Sequence, residues 1–252
     1  MLKHLFKTLA PVAALAIGTL TAGCGDIKVS LGDDDGVPLG DLDMTGAAPT
    51  SLVLAGPDSV VVTKGDSLAI TVEGDEDVKS AMRFSLDDDT LAIARRDGRN
   101  VDGTATVRVT MPSLNAIVLA GSGGIAAESM ADKADVTIAG TGRVDVARIK
   151  SDTLEVTIAG SGAFASAGSV RMLDLNVMGS GSAELDEMQV ETADVNIMGS
   201  GEGAFASDGT VEANIMGSGE VTVFGRANCE VKAMGSGKLN CRNAEPAEAT
   251  EE

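Results

Sequence analysis

The chain has 252 residues, with 31 Gly, five Phe, no Tyr or Trp, and a formal net charge of −19. That length holds one large domain or two small ones, and the core must come from Val, Ile, Leu, Met and Ala; so much glycine points to many short strands joined by tight turns. A chain this acidic lacks the clustered positive face that phosphate contacts require, which argues against nucleic acid as a partner.

The first expected element is a targeting segment. Lys3 and Lys7 precede an apolar run, Leu9 to Leu20, that is too short for a comfortable membrane span, so residues 1–23 read as a signal peptide. The run ends in LTAGC, which resembles the lipobox of bacterial lipoproteins, with Thr21 at the place that usually holds Leu and Leu20 just before it. The resemblance implies that Cys24 is diacylated and becomes the mature N-terminus, so that the membrane is a partner through the lipid. Gly25 after the cysteine, in place of Asp, implies sorting to the outer membrane. Removing residues 1–23 leaves 17 basic against 38 acidic residues, a charge of −21, and removes His4, the only histidine. Without imidazole, Ser-His-Asp or Cys-His catalysis and His-ligated zinc are excluded.

Residues 24–50 are acidic, Gly-rich and poor in large apolar side chains, the composition of a flexible tether. Asp33 to Gly36 lacks the alternating ligands and distant Glu of a calcium loop, and reads as solvated spacer. Residues 51–114 form a β-rich part without visible repeat, with alternation clearest at Leu91 and Ile93 and at Val107 and Val109. The stretch EDVKSAM within it fits a single helical turn. The stretch RRDGR, Arg95 to Arg99, supplies residue types that some β-helical enzymes use on acidic polysaccharides, but it reads equally as a charged hairpin turn. A sugar-processing groove would also carry aromatic platforms, and Tyr and Trp are absent.

Residues 115–241 repeat. The triplet Gly-Ser/Thr-Gly begins at Gly121, Gly140, Gly160, Gly179, Gly199, Gly217 and Gly235, at steps of 18–20 residues. The second and fourth residues before each first glycine are apolar, from Leu119 and Ile117 to Ala233 and Val231. The third and fifth places are mostly polar, with Asn176, Asn196 and Asn214 in one column and Asp135, Glu155, Asp174, Asp194, Glu212 and Glu230 in the other. Period two means a strand with one buried face. The expected fold is therefore all-β, a single-stranded parallel β-helix or β-solenoid whose coils of 18–20 residues turn at Gly-Ser-Gly corners. Glycine recurs there because the backbone turns sharply, often with positive φ, and stacked corners leave no room for a Cβ. The same recurrence argues against a phosphate loop at Gly121 to Gly124.

The succession SLVLAGPDSVVVTKGDSLAITVEGDEDV, DDDTLAIARRDG, VTMPSLNAIVLAGSG and the later GSG repeats resembles the bacterial putative auto-transporter adhesin head (GIN) domain family, over about residues 50–241. The resemblance implies a right-handed β-helix or β-solenoid. It implies surface binding or adhesion only by fold-level analogy, and no binding residues carry over. The favoured function is a cell-envelope-anchored module that binds an envelope or surface macromolecule. The alternatives are a structural or envelope-stress protein without a discrete ligand and, behind both, a polysaccharide-active enzyme. No catalytic residue, cofactor or metal site is expected, and the oligomeric state is open.

Cys229 and Cys241 lie six residues before and after Gly235, both at inward parity, and in an exported chain would form a disulfide across a pinched last coil. Met178, Met198, Met216 and Met234 stand just before the corner glycines, and either curl into the core or, with the Asn row, form an adaptable contact face. The six acids beside them would attract Lys, Arg or loosely held divalent cations. Residues 242–252 read as a disordered acidic tail.

Overall fold

The computed structural model describes residues 36–87, 89–96 and 101–242. The expected signal peptide, Cys24, Asp97 to Arg99 and residues 243–252 lie outside them.

The repeats form the expected solenoid. Five long strands make one coil each: β8 (Gly124–Gly140), β9 (Arg143–Gly160), β10 (Ala163–Gly179), β11 (Ser182–Gly199) and β12 (Glu202–Gly217). The next coil is divided into β13 (Glu220–Phe224) and β14 (Asn228–Gly235), and β15 (Lys238–Arg242) begins a further level on β13. All of these pair in parallel with the coil before them. The first glycines of the triplets stack in one unbroken register from Gly121 to Gly235.

Glycine is required at this corner. Gly199 has φ of 127°, and a Cβ on it would lie 2.3 Å from the carbonyl oxygen of Gly179 in the coil beneath. The third glycine of each triplet is needed for a different reason. A Cβ on Gly181 would lie 2.4 Å from Ile158 Cγ2, so the corner closes over the second-column side chain of the preceding coil. The opposite bend has no such rule. Register shifts fall between Ala165 and Gly168, between Leu185 and Gln189, and between Ser129 and Lys133, and this bend absorbs the difference between coils of 18 and 20 residues.

Side chains fill the interior. Ile138, Ile158, Val177, Ile197 and Ile215 are fully buried in one column, Val136, Val156, Leu175, Val195 and Ala213 in the next, and Phe164 and Phe205 plug the facing side. Val231 and Ala233 keep their places in the inward columns, stacked on Ala213 and Ile215. Both are nevertheless exposed, because no described strand stacks on β14.

Residues 51–114, which show no repeat in the sequence, add two more levels in an order the chain does not follow. β1 (Ser51–Ala55) and β2 (Ser59–Lys64) lie in parallel beneath β7 (Leu114–Gly121) and β8. Gly56-Pro57-Asp58 is their corner: Gly56 has φ of 132° and its carbonyl accepts from Gly123 N–H. The level below is built by later strands, β5 (Thr90–Arg95) and β6 (Thr106–Met111). Antiparallel strands close that end, β4 (Met82–Asp87) on β5 and β3 (Ala69–Glu73) on β6. The expected helical turn is α1 (Glu76–Ala81), anchored by buried Val78 and Ala81. Within the stretch read as tether, Val37 exchanges two backbone hydrogen bonds with Phe84, and Leu39–Asp41 form a 3-10 turn.

Candidate functional site

The side chains before each corner point alternately in and out, so stacking converts sequence columns into rows on one outer face. The row next to the corner runs in register through Ala94, Ala55, Ala120, Ala139 and Ala159, and then Met178, Met198, Met216 and Met234. The methionines do not curl into the core: they are 42%, 45%, 49% and 73% exposed. Four flexible thioethers thus replace alanines over the C-terminal half of the face.

Asn176, Asn196 and Asn214 form the neighbouring row. Asn196 Nδ2 donates to Asn176 Oδ1 at 3.2 Å, and Asn214 Nδ2 donates to Asn196 Oδ1 at the same distance. Asn176 and Asn196 also donate to Asp174 and Asp194 in the third row, at 2.7 and 3.0 Å. The amides are therefore held in place as a half-buried ladder between the methionines and the acids.

The third row stacks Asp135, Glu155, Asp174, Asp194, Glu212 and Glu230 in register. Partial burial pushes the Asp135 carboxyl above its ordinary range, against the hydrogen bond from Thr137. Burial also raises Glu155, with added repulsion from Asp135 and Asp174. The cation at the end of the row is Lys232, which bridges Glu212 and Glu230. Among the described residues no group of His, Cys, Asp and Glu is arranged to hold a metal ion.

The outer face after the corner has a feature that sequence reading missed. Arg143 pairs with Asp145 of its own strand and reaches two coils along to Glu184, at 2.7 Å, passing the level of Ala163 and Ala165. Glu184 is held below the ordinary carboxylate range by this guanidinium. A shallow, acid-rimmed depression of about 480 Å³ adjoins it, lined by Ala126, Ala165, Asp145, Glu184, Asp186 and Glu187.

Of the RRDGR stretch, Arg95 has a structural role. It makes a two-pronged ion pair with fully buried Asp58, at 2.8 and 2.7 Å, and donates to the carbonyls of Val101 and Gly103. Asp58 also accepts from Ala105 N–H. The pair ties Val101, Gly103 and Ala105 to the Gly56 corner. Cys229 and Cys241 are joined by a disulfide, their Cα atoms 6.7 Å apart. No helix among the described residues is long and apolar enough to cross a membrane.

The family described as "putative auto-transporter adhesin, head GIN domain" matches residues 48–227, and the chain belongs to that family. Solved structures share its fold. A "putative adhesin" from Bacteroides fragilis NCTC 9343 is 18% identical with a TM-score of 0.69, covering 77% of this chain and 92% of that one. A "putative lipid binding protein" from Parabacteroides distasonis ATCC 8503 is 22% identical with a TM-score of 0.61, covering 78% and 93%. A "putative adhesin" from Parabacteroides merdae ATCC 43184 is 18% identical with a TM-score of 0.58, covering 77% and 92%. No curated protein matches the chain.

Proposed function

We propose that this member of the adhesin-head family is an exported binding module, held to the outer membrane by lipid on Cys24, that offers its Met–Asn face to a macromolecule of the cell envelope or surface. The observation that carries the proposal is the methionine row. Four large apolar side chains stay 42–73% exposed in register, in a column where the same fold is satisfied by alanine. Unbranched thioethers adapt to an irregular partner, and the adjoining acids favour one with cationic groups beside an apolar strip. Binding rather than catalysis is further supported by Arg95 and Asp58, whose charges neutralise each other inside the fold. The lipid-binding name of one structural neighbour fits this chain poorly, since its interior is filled and its outer face is acidic.

The test is capture from crosslinked envelopes by the acylated protein and by the triple variant M178A/M198A/M216A, whose fold is protected because alanine already occupies that column. The wild type should enrich one dominant partner at least about tenfold over the variant. Equal capture by both would remove the face from the proposal, and capture of nothing would favour a structural role. Intact mass of the mature chain decides the anchor, since a mass without acyl groups removes it.

A further inference from the structure

The two ends of the solenoid are built differently. Antiparallel strands close the β5–β6 level, whereas β14 has β12 as its single partner and β15 has β13, among the described residues. Among the described residues no strand pairs with their outer edges, which present backbone donors and acceptors. The side chains agree: Val231 is 45% exposed although Ala213 and Val195, stacked beneath it, are fully buried.

We infer that this end is an interface with a second copy of the same chain, in which two β14 strands pair antiparallel about a two-fold axis at Val231. The order of charges along the strand selects that axis. Asn228, Glu230, Lys232 and Met234 lie on the outer face of β14, so a two-fold at Val231 sets each Glu230 opposite the other copy's Lys232. On the inner face the same operation sets Val231 against Val231 and Cys229 against Ala233, and the two open cores cover each other. Shifting the axis by one residue sets Glu230 against Glu230 or Lys232 against Lys232. Antiparallel partners must share a face, so no half-step register rescues those arrangements. Across the coil, Leu239 stands four residues after Gly235 as Val231 stands four before it, and an axis through Leu239 meets Lys238 with Asn240, without a like-charged pair. Lys232 already leans on Glu212 one coil beneath, so the second copy extends an existing network.

The experiment is sedimentation of the exported chain carrying Cys24→Ser, up to about 100 μM, where a modest interface is populated. The wild-type face should give a monomer–dimer equilibrium. Glu230→Lys and Lys232→Glu should each weaken it about tenfold or more, since each sets like charges opposite one another twice. The double exchange E230K/K232E should return to within about threefold of the wild type, and an equimolar mixture of the two single variants should form heterodimers. A monomer at every concentration overturns the inference, and so does equal dimerisation by single and double variants.

Discussion

Replacing Glu155 by Gln removes one charge from the acidic row while keeping the shape of the side chain. Glu155 stands between Asp135 and Asp174 in register, one strand spacing from each. At the usual strand spacing of about 4.8 Å, two like charges repel by about 0.9 kcal/mol in water. Physiological salt, with a Debye length of about 8 Å, leaves roughly half of that, so two neighbours cost about 1 kcal/mol together. Burial acts in the same direction and is the larger cause of the raised carboxyl. E155Q is therefore expected to be at least about 1 kcal/mol more stable than the wild type at pH 7 in urea denaturation. Linkage gives the sign with pH. A carboxyl whose folded value is raised takes up its proton in the folded state first, so the wild type gains stability as pH falls through the raised value toward the ordinary 4.5. The gap to E155Q should close over that window. It should also narrow in 1 M salt, where the Debye length is about 3 Å. If E155Q is no more stable at pH 7, or if its advantage persists in acid and in salt, the acids are not repelling one another and the row is an ordinary solvated face.

The packing sets three more outcomes. Gly199→Ala should cost more than about 3 kcal/mol, from positive-φ strain and the clash with the Gly179 carbonyl, while exposed Ser200→Ala should stay within about 0.5 kcal/mol; equal thermal midpoints would contradict the stacked corner. Arg95→Ala leaves the Asp58 carboxylate buried without its ion-pair partner and should cost about 3–5 kcal/mol by chemical denaturation, with a loss below about 1 kcal/mol counting against the clamp. Cys229 and Cys241 are separated by 12 residues, so reduction should cost about 3 kcal/mol by loop entropy, and alkylation without reductant should label neither thiol.

The solenoid was legible because its rule is local: a strand that must turn at a fixed corner under another copy of itself can place only glycine there, and the sequence shows it seven times. The N-terminal levels were hidden by the same rule. At their corner the third glycine is replaced by Asp58, an exchange that works because Arg95 neutralises it, and between β5 and β6 the sequence has no Gly-Ser-Gly triplet at all. A signal was present, since LVLAG at Leu52 to Gly56 nearly repeats IVLAG at Ile117 to Gly121 and stacks directly upon it. The exposure of the methionines was undecided in the sequence because parity fixes where a side chain starts, not whether a long flexible one folds back. Arg143 and Glu184 lie 41 residues apart, and no single-chain pattern joins them; only stacking does. Likewise, Val231 carries the pattern of a core residue, because burial in the last coil depends on a further strand covering it rather than on the residues of that coil.

The crossed order of the first levels gives the molecule a direction of growth. The β1–β2 level is synthesised first, yet both of its neighbours, β5–β6 and β7–β8, come later in the chain. It has no sheet partner until the capped end is complete, so its slow, non-local closure is the step expected to form the seed. Every later coil meets a finished template beside it and adds as the next tooth of a zipper. Shortening from the C-terminus by whole coils should then leave a shorter, still cooperative rod, whereas deletion of β1–β2 removes the seed; amide exchange should record this as protection that falls from the capped end toward β15.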